Sequence, residues 1–383
     1  MNIRKLQFTD DLAKQIEIGK DIESIYDESM KAYVHRSLDR VTDYEKIPIA
    51  REDLYYKSIY DYFAYGFLPE QQIYYHLIGK CHEEKSSYLT FKNKFVYFAR
   101  LNKREDMDLL EDKFEAYKLL RKYYKREIIK LNDDADYESF CDFLSRHETF
   151  VVKPLGLSCA MGVRKVDARE HADKRALFNS LINVGGAFKD DYSVRESNFN
   201  GAVLEELIEQ DPEYGKICPL SINGIRLTTI RIRGKIHFYR PWIKVGVTNN
   251  IVVCGSHDGF DAGIDVKTGV IDTCGYSDKG IVFQEHPITH HKIKGYKIPQ
   301  WDNLLELAEE VAQSLKPTIN YVGWDFVLTP GGWVVMEGNF YGDVLWQLVY
   351  GKGMKDEFEE LIGWKMEKKF WWQYNLKKLE REW

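Results

Sequence analysis

The chain has 383 residues, of which 44% are hydrophobic and 14% are aromatic, so its composition excludes a disordered or fibrous protein. A formal net charge of -6 argues against a general nucleic-acid-binding protein. The six cysteines lie far apart without a Cys-x-x-Cys pair, and no uncharged stretch is long enough to span a bilayer. We therefore expect a globular cytoplasmic chain with reduced cysteines.

The first part of the chain has the hydrophobic spacing of helices. Apolar residues between Leu6 and Arg40 recur at helical rather than alternating spacing, and residues 53–98 are dense in tyrosine and phenylalanine. Such an aromatic set is more often a packed helical core than a ligand cage. The pattern predicts a helical N-terminal region over residues 1–105, which serves as scaffold or contributes to a substrate or partner site.

The middle of the chain mixes short helices and strands. Apolar spacing predicts a helix over residues 108–124 that carries Lys113, then a strand at residues 128–129 and a helix near residues 137–144. Short β-rich runs between turn residues follow at 149–153, 163–166, 202–205, 225–232 and 235–239. A further amphipathic helix is predicted over residues 301–315. We expect an α+β body of lobes that pack on one another, since no repeat or linker separates these elements.

A predicted hairpin over residues 321–339 carries three oxygen-bearing side chains. Side chains alternate along a strand, so Glu337 and Asn339 share a face, and the turn at residues 330–332 folds Asp325 back alongside them. Carboxylate and amide oxygens suit hard divalent cations such as Mg²⁺. A hairpin edge whose acids face water is the alternative interpretation.

Two lysines upstream are candidates for binding phosphate. Lys153 ends a predicted strand and precedes a loop of small residues at 155–162, whose backbone N–H groups suit phosphate oxygens and which includes Ser158. Lys113 lies on the predicted helix before it. The loop lacks the Walker pattern, which argues against a P-loop enzyme. Solvated lysines remain the alternative for each residue alone.

An acidic segment and two arginines complete the set. A predicted strand near residue 203 runs into a segment suited to hold adenine and ribose, which consists of Glu205, Glu206, Leu207, Ile208 and Glu209. Arg226 and Arg240 lie on the later β-rich runs, where a guanidinium can meet phosphate or carboxylate through two hydrogen bonds. Pairing with surface acids is the alternative for both arginines.

This order of motifs resembles the ATP-grasp superfamily, and more closely its sugar-transfer-associated family, which is related to the alpha-L-glutamate ligases. The resemblance covers roughly residues 55–350. The residues that carry it are Tyr62–Gly66, Asp112–Lys113, Val152–Pro154, Ser221–Arg226, His286–Thr289, Gly323–Asp325 and Met336–Asn339.

The resemblance implies two α+β lobes that enclose ATP, with residues 106–208 as the first lobe and 209–355 as the second, followed by a C-terminal amphipathic helix over 356–383. It implies that Lys113, Lys153, Ser158 and the segment 205–209 bind ATP. The implied ligands of one or two Mg²⁺ ions, or of Mn²⁺, are Asp325, Glu337 and Asn339. Arg226, with Arg240 as second candidate, would hold the transferring phosphate.

The implied activity is a carboxylate–amine ligase that forms an acyl phosphate, in bacterial capsule or surface-polysaccharide synthesis, with a uronic acid or an amino acid as the carboxylate. The alternatives are a kinase on the same fold and a non-catalytic nucleotide-binding subunit that scaffolds glycosyltransferases. Many ATP-grasp ligases have an arginine where this chain has Gly323, which motivates the second alternative. The Trp-rich C-terminal helix is expected to dock on its own protein or a second subunit, with a membrane surface or a glycosyltransferase as alternatives. The oligomeric state stays open.

Three histidines, His286, His290 and His291, lie in a loop rich in cations. A role in acceptor binding competes with the simpler interpretation that they are solvated.

Overall fold

A computed structural model describes residues 6–41, 47–155, 162–184, 201–248, 259–277, 279–342, 344 and 346–376. Ser158, with the rest of the predicted loop at 156–161, lies outside the described residues. Within them the helices are α1 (Leu12–Glu23), α2 (Glu28–Asp39), α3 (Arg51–Tyr65), α4 (Gln71–Tyr74), α5 (His82–Ser86), α6 (Asn93–Leu101), α7 (Asp108–Glu111), α8 (Lys113–Tyr124), α9 (Tyr137–Arg146), α10 (Lys174–Ile182), α11 (Trp301–Ser314), α12 (Trp346–Tyr350) and α13 (Lys355–Ile362).

The strands form two antiparallel sheets within the described residues. The smaller sheet has the order β1-β4-β2-β3 and the larger has the order β11-β10-β5-β6-β7-β8-β9. The strands are β1 (Ile128–Leu131), β2 (Thr149–Pro154), β3 (Arg164–Asp167), β4 (Ala202–Glu206), β5 (Gly224–Ile232), β6 (Lys235–Gly246), β7 (Gly259–Gly263), β8 (Gly275–Tyr276), β9 (Val282–Phe283), β10 (Tyr321–Thr329) and β11 (Gly332–Asn339).

The N-terminal helices pack around the aromatic residues that the sequence singles out. Tyr60, Phe63, Phe67 and Tyr88 are buried in a core shared by α1, α2 and α3. The prediction of a helical aromatic core is confirmed for this region.

Each sheet buries one face against helices of its own lobe. Helices α9 and α10 cover the smaller sheet, where Phe140, Phe150 and Phe178 share one core. Helix α11 packs on the larger sheet, where Leu304 and Val311 meet Trp324 and Phe326. The other face of the larger sheet is covered at one end by α6, α12 and α13. Its other end carries Arg226, Lys244, Asp325 and Glu337, and Glu337 lines a cleft together with Lys153 and Glu205 of the smaller sheet.

The helix predicted over residues 108–124 is divided in the structure, because Asp112 caps a new helix that starts at Lys113. Helix α7 ends at Glu111, and the carboxylate of Asp112 then accepts hydrogen bonds from the backbone N–H groups of Phe114 and Glu115 at 2.9 and 3.0 Å. Such a cap satisfies donors that a helix leaves unpaired at its start. Lys113 is therefore fixed in the first turn of α8.

The expected C-terminal helix over 356–383 is wrong for most of its described part. Helix α13 ends at Ile362 because Gly363 adopts a left-handed conformation with φ of 66°. Residues 364–375 contain one turn of 3-10 helix, Trp371–Gln373. Its indoles donate to the chain's own helix α3: Trp371 Nε1 to the carbonyl of Tyr62 at 2.7 Å and Trp372 Nε1 to the carbonyl of Phe63 at 3.2 Å.

Among the described residues, no helix has the length and apolar character needed to cross a bilayer.

Candidate nucleotide and metal site

The predicted hairpin forms and brings its polar side chains to one face. Asp325 on β10 lies directly opposite Glu337 on β11, and Gly323 lies opposite Asn339. The register then shifts, so that Phe326 pairs with Val335 and Met336 is left over as a β-bulge.

The bulge decides where Glu337 points. Val335 is buried in the core on one face of the sheet, opposite Phe326, whereas Glu337 shares the other face with Asp325. In a regular strand, residues two apart lie on the same face. Only the extra residue Met336 allows Val335 to be buried and Glu337 to face the cleft.

Asp325 is held by two cations. Its carboxylate accepts from Arg226 Nε and Nη2 at 2.7 and 2.8 Å, and from Lys244 Nζ at 2.9 Å. Burial alone raises the pKa of Asp325, but the charges of Arg226 and Lys244 outweigh burial and hold this pKa well below its usual range. Asp325 is therefore ionised and strongly paired. Lys244 is opposite Gly224 on β5, where a Cβ atom would meet no heavy atom of the described residues within 4 Å.

Glu337 has a different environment from Asp325. Its side chain is half-buried, and among the described residues no side chain donates a hydrogen bond to its carboxylate. Asn339 donates from Nδ2 to the carbonyl of Gly323 at 3.2 Å, which leaves its Oδ1 to act as a ligand atom. Glu337 and the Asn339 Oδ1 are thus the oxygens of the hairpin that remain available.

Gly323 lies beside the side chain of Arg226. A Cβ atom at position 323 would lie 3.1 Å from the Cα of Gly342 and at ordinary van der Waals distances of 3.5 and 3.6 Å from the Cδ and Nη1 of Arg226. The guanidinium of Arg226 therefore runs over the backbone at Gly323. A positive charge reaches this point from the neighbouring strand β5.

The structure places Arg240 away from Arg226. Its guanidinium forms two hydrogen bonds with Glu357 on α13, at 2.8 and 2.6 Å, and lies 5.0 Å over the ring of Tyr350. The sheet register also slips here, since Tyr239 pairs with Thr228. Arg240 joins the part of the sheet that the C-terminal helices cover.

A cleft between the two lobes gathers four of the predicted residues. Lys153 and Glu205 contribute from the smaller sheet and Glu337 from the larger sheet, while Lys113 comes from α8, which packs in the core of the larger sheet. The remaining lining residues are Leu110, Ala116, Tyr124 and Met336. Residues far apart in the chain therefore meet at one place.

Glu205 pairs with two cations at this cleft. It accepts from Lys153 Nζ at 2.8 Å and from Arg126 Nη2 at 2.8 Å. Burial favours a higher pKa for Glu205, yet the charges of Lys153 and Arg126 lower it to about 2. Sequence reasoning missed Arg126, because its partners lie 79 and about two hundred residues further along the chain.

Of the predicted adenine segment, only Glu205 is among the described residues that line the cleft. Glu206 accepts a hydrogen bond from the backbone N–H of Glu127 at 2.9 Å. Leu207 and Ile208 are half-buried in irregular structure after β4, and Glu209 is exposed.

The first of the three histidines is a buried structural residue. His286 Nε2 bonds to the carbonyl of Gly246 at 2.7 Å, and its Nδ1 accepts from the backbone N–H groups of Ile288 and Thr289 at 3.2 Å each. Both ring nitrogens are thereby used, so His286 is neither solvated nor directed at an acceptor. His290 is exposed and bonds Glu285 at 3.1 Å.

Two α+β lobes with cations and carboxylates between them define the ATP-grasp fold. A model of the sugar-transfer associated ATP-grasp family matches residues 92–362, and the chain belongs to this family. No curated protein matches the chain by sequence.

The chain is similar to several solved structures at low identity and low TM-score. D-alanine-D-alanine ligase from Helicobacter pylori is 12% identical with a TM-score of 0.40, and the alignment covers 69% of this chain and 64% of that one. Phosphoribosylamine–glycine ligase from Thermotoga maritima is 12% identical with a TM-score of 0.41, with coverage of 70% and 58%. D-alanyl-alanine synthetase A from Vibrio cholerae is 10% identical with a TM-score of 0.35, with coverage of 66% and 60%. The chain thus spans less than two thirds of the length of these neighbours.

Proposed function

We propose that the chain is an ATP- and metal-dependent carboxylate–amine ligase whose nucleotide binds in the cleft between the lobes. The observation that carries the proposal is the convergence of Lys113 and Lys153 with Glu337 in one cleft, beside the pair of Arg226 and Asp325. Cations on one side and an available carboxylate on the other are what a metal-bound polyphosphate requires.

The residues of the hairpin fit a divalent cation, Mg²⁺ or Mn²⁺. Among the described residues, no group of three or more His, Cys, Asp and Glu side chains gathers at one point, so phosphate oxygens would complete the coordination. Glu337 and Asn339 would hold the ion, and Asp325 would join when Lys244 turns towards a phosphate. When bound, the ion neutralises charge on the phosphate oxygens.

The cations of the cleft have separate roles in this proposal. Lys113 and Lys153 bind ATP phosphates, and the phosphates replace Glu205 as the partner of Lys153. Arg226 and Lys244 stabilise the phosphoryl group during transfer, because fixed positive charges are most effective in a site with little water. Arg226 thereby supplies the charge that an arginine at position 323 would supply in other ligases.

The reaction has two steps. A carboxylate oxygen of the substrate attacks the γ-phosphorus of ATP, which breaks the bond to the β-phosphate oxygen and releases ADP. The amine nitrogen of the acceptor then attacks the acyl carbon, phosphate leaves, and the amine proton passes to solvent. A uronic acid or an amino acid is the proposed carboxylate, in bacterial surface-polysaccharide synthesis, and the family's association with sugar transfer supports this assignment.

A second candidate function is a nucleotide-binding subunit without turnover that scaffolds glycosyltransferases. The specific observation in its favour is that Asp325 is already neutralised by Arg226 and Lys244. Metal-independent ATP binding, measured as equal thermal stabilisation by ATP with Mg²⁺ and by ATP with EDTA, would favour this candidate.

Product analysis tests the ligase. Purified protein with Mg·ATP, a uronic or amino acid and an amine should release ADP and phosphate in equal amounts. Glu337→Gln should abolish this release, whereas Glu360→Gln, which changes an exposed carboxylate of α13, should not. ADP without free phosphate would instead identify a kinase. Full activity of Glu337→Gln would refute the metal assignment.

A further inference from the structure

Arg126, in the short connection between α8 and β1, is a buried arginine with partners in both lobes. Its Nε and Nη2 donate to Glu205 Oε2 at 3.1 and 2.8 Å, and its guanidinium lies 4.6 Å over the ring of Tyr124. Its Nη1 donates to the carbonyl of Val335 at 2.7 Å, and its Nη2 also reaches the carbonyl of Met336 at 3.4 Å. The two carbonyls belong to the larger sheet.

Those carbonyls belong to the β-bulge that turns Glu337 towards the cleft. A bulge leaves one residue out of the ladder, and buried carbonyl groups without a donor cost free energy. The guanidinium of Arg126 supplies that donor at Val335 and Met336. If the bulge were lost, the strand would regain its alternation and Glu337 would share the face of Val335.

Neutralising Glu205 does not by itself account for this geometry. Lys153 already provides one positive charge to Glu205, at 2.8 Å. The ammonium group of another lysine could supply the second positive charge. Only a planar guanidinium, however, can bond a carboxylate with one edge and a carbonyl with the other.

We propose that Arg126 is a positioning residue that fixes the Met336 bulge and so holds Glu337 where a divalent cation binds. The inference rests on the metal site of the proposed function. Arg126 acts through the backbone of β11 and touches neither metal nor nucleotide in this assignment.

Metal affinity and nucleotide affinity, measured separately, test this role. Mn²⁺ binding is followed by the electron paramagnetic resonance of free Mn²⁺ with a non-hydrolysable ATP analogue present, and analogue binding is followed by calorimetry in EDTA. Arg126→Lys should raise the Mn²⁺ dissociation constant about tenfold or more, the usual effect of losing a residue that orients a ligand. The dissociation constant of the analogue in EDTA should change much less.

Arg146→Lys is the matched control. Arg146 also pairs with a glutamate, Glu127, but it lies partly exposed on α9, and its substitution should change neither constant. If Arg126→Lys does not fold, Tyr124→Leu removes the ring beneath the guanidinium and should raise the Mn²⁺ constant by a smaller factor.

Unchanged Mn²⁺ affinity in folded Arg126→Lys would overturn the inference, and so would equal losses of metal and analogue affinity, which indicate a general structural role. The variant Glu337→Gln distinguishes a failure of the proposed metal site from a failure of the proposed role of Arg126. If that variant binds Mn²⁺ as tightly as the wild type, the metal site itself is refuted and the role of Arg126 falls with it.

Discussion

Asp61 and Glu205 are buried carboxylates that are each held by two cations, yet they lie in regions of different character. Asp61, in the N-terminal helices, accepts from Lys57 Nζ at 2.5 Å and from Lys85 Nζ at 3.1 Å. Glu205, at the cleft between the lobes, is paired with Lys153 and Arg126 at similar distances. The charge balance of the two clusters is therefore the same.

Access to solvent separates the two clusters. The side chains of Lys57 and Lys85 are each 1% exposed and that of Asp61 is fully buried. The side chain of Lys153 is 14% exposed and lines the cleft. A ligand phosphate can replace a carboxylate partner only where the lysine can be reached, so we interpret the first cluster as structural and the second as a ligand site.

The largest expected effect is on the fully buried cluster of Asp61, Lys57 and Lys85. Asp61→Asn leaves two buried ammonium groups without a carboxylate, which should lower the free energy of unfolding by about 3–5 kcal/mol. Urea denaturation measures this loss. Asp39→Asn, at an exposed pair with Arg51, should cost less than about 1 kcal/mol. An equally small loss for Asp61→Asn would mean that the helical cluster is not structural.

A smaller effect of a different kind is expected at the cleft. Lys153→Met removes a phosphate partner while Arg126 still neutralises Glu205, so stability should fall less than in Asp61→Asn. The affinity for a non-hydrolysable ATP analogue should fall about tenfold or more, which corresponds to about 1.4 kcal/mol. Calorimetry measures it, with Lys122→Met at an exposed pair as control. Unchanged affinity would remove the distinction between the clusters.

The remaining expected effect is a dependence of stability on pH. Burial lowers the pKa of Lys57 to about 8, despite the nearby charge of Asp61, while the unfolded value is 10.5. Between these pH values the unfolded chain binds more protons, so this residue makes the free energy of unfolding rise with pH, by at most about 1.4 kcal/mol per pH unit.

Denaturation at pH 8 to 9.5 should show this rise in the wild type and in Lys14→Met, an exposed change on α1. Lys57→Met should lack it. The same slope in Lys57→Met would show that another group titrates.

Much of the fold could be predicted because its elements have strong local signals. Helical spacing located α1, α2, α8 and α11, and alternation with turn residues located β5, β10 and β11. The C-terminal helix was the main error, since the spacing of its aromatic residues is helical but Gly363 ends α13 and the indoles bond to α3 instead.

The candidate site was predictable in its residue types but not in its pairing. Lys113, Lys153, Glu205 and Glu337 do line one cleft. Whether they bind ATP and a metal stays a prediction.

The sequence by itself determined the family, the elements and the strands that carry the charged groups, because hydrophobic period, caps and turns act over a few residues. Only the tertiary structure decided that Arg226 and Lys244 neutralise Asp325, that Glu337 does not receive a side-chain donor among the described residues, and that Arg126 bonds the Met336 bulge. These outcomes depend on contacts between residues far apart in the chain and on one extra residue in a strand, which no local pattern specifies.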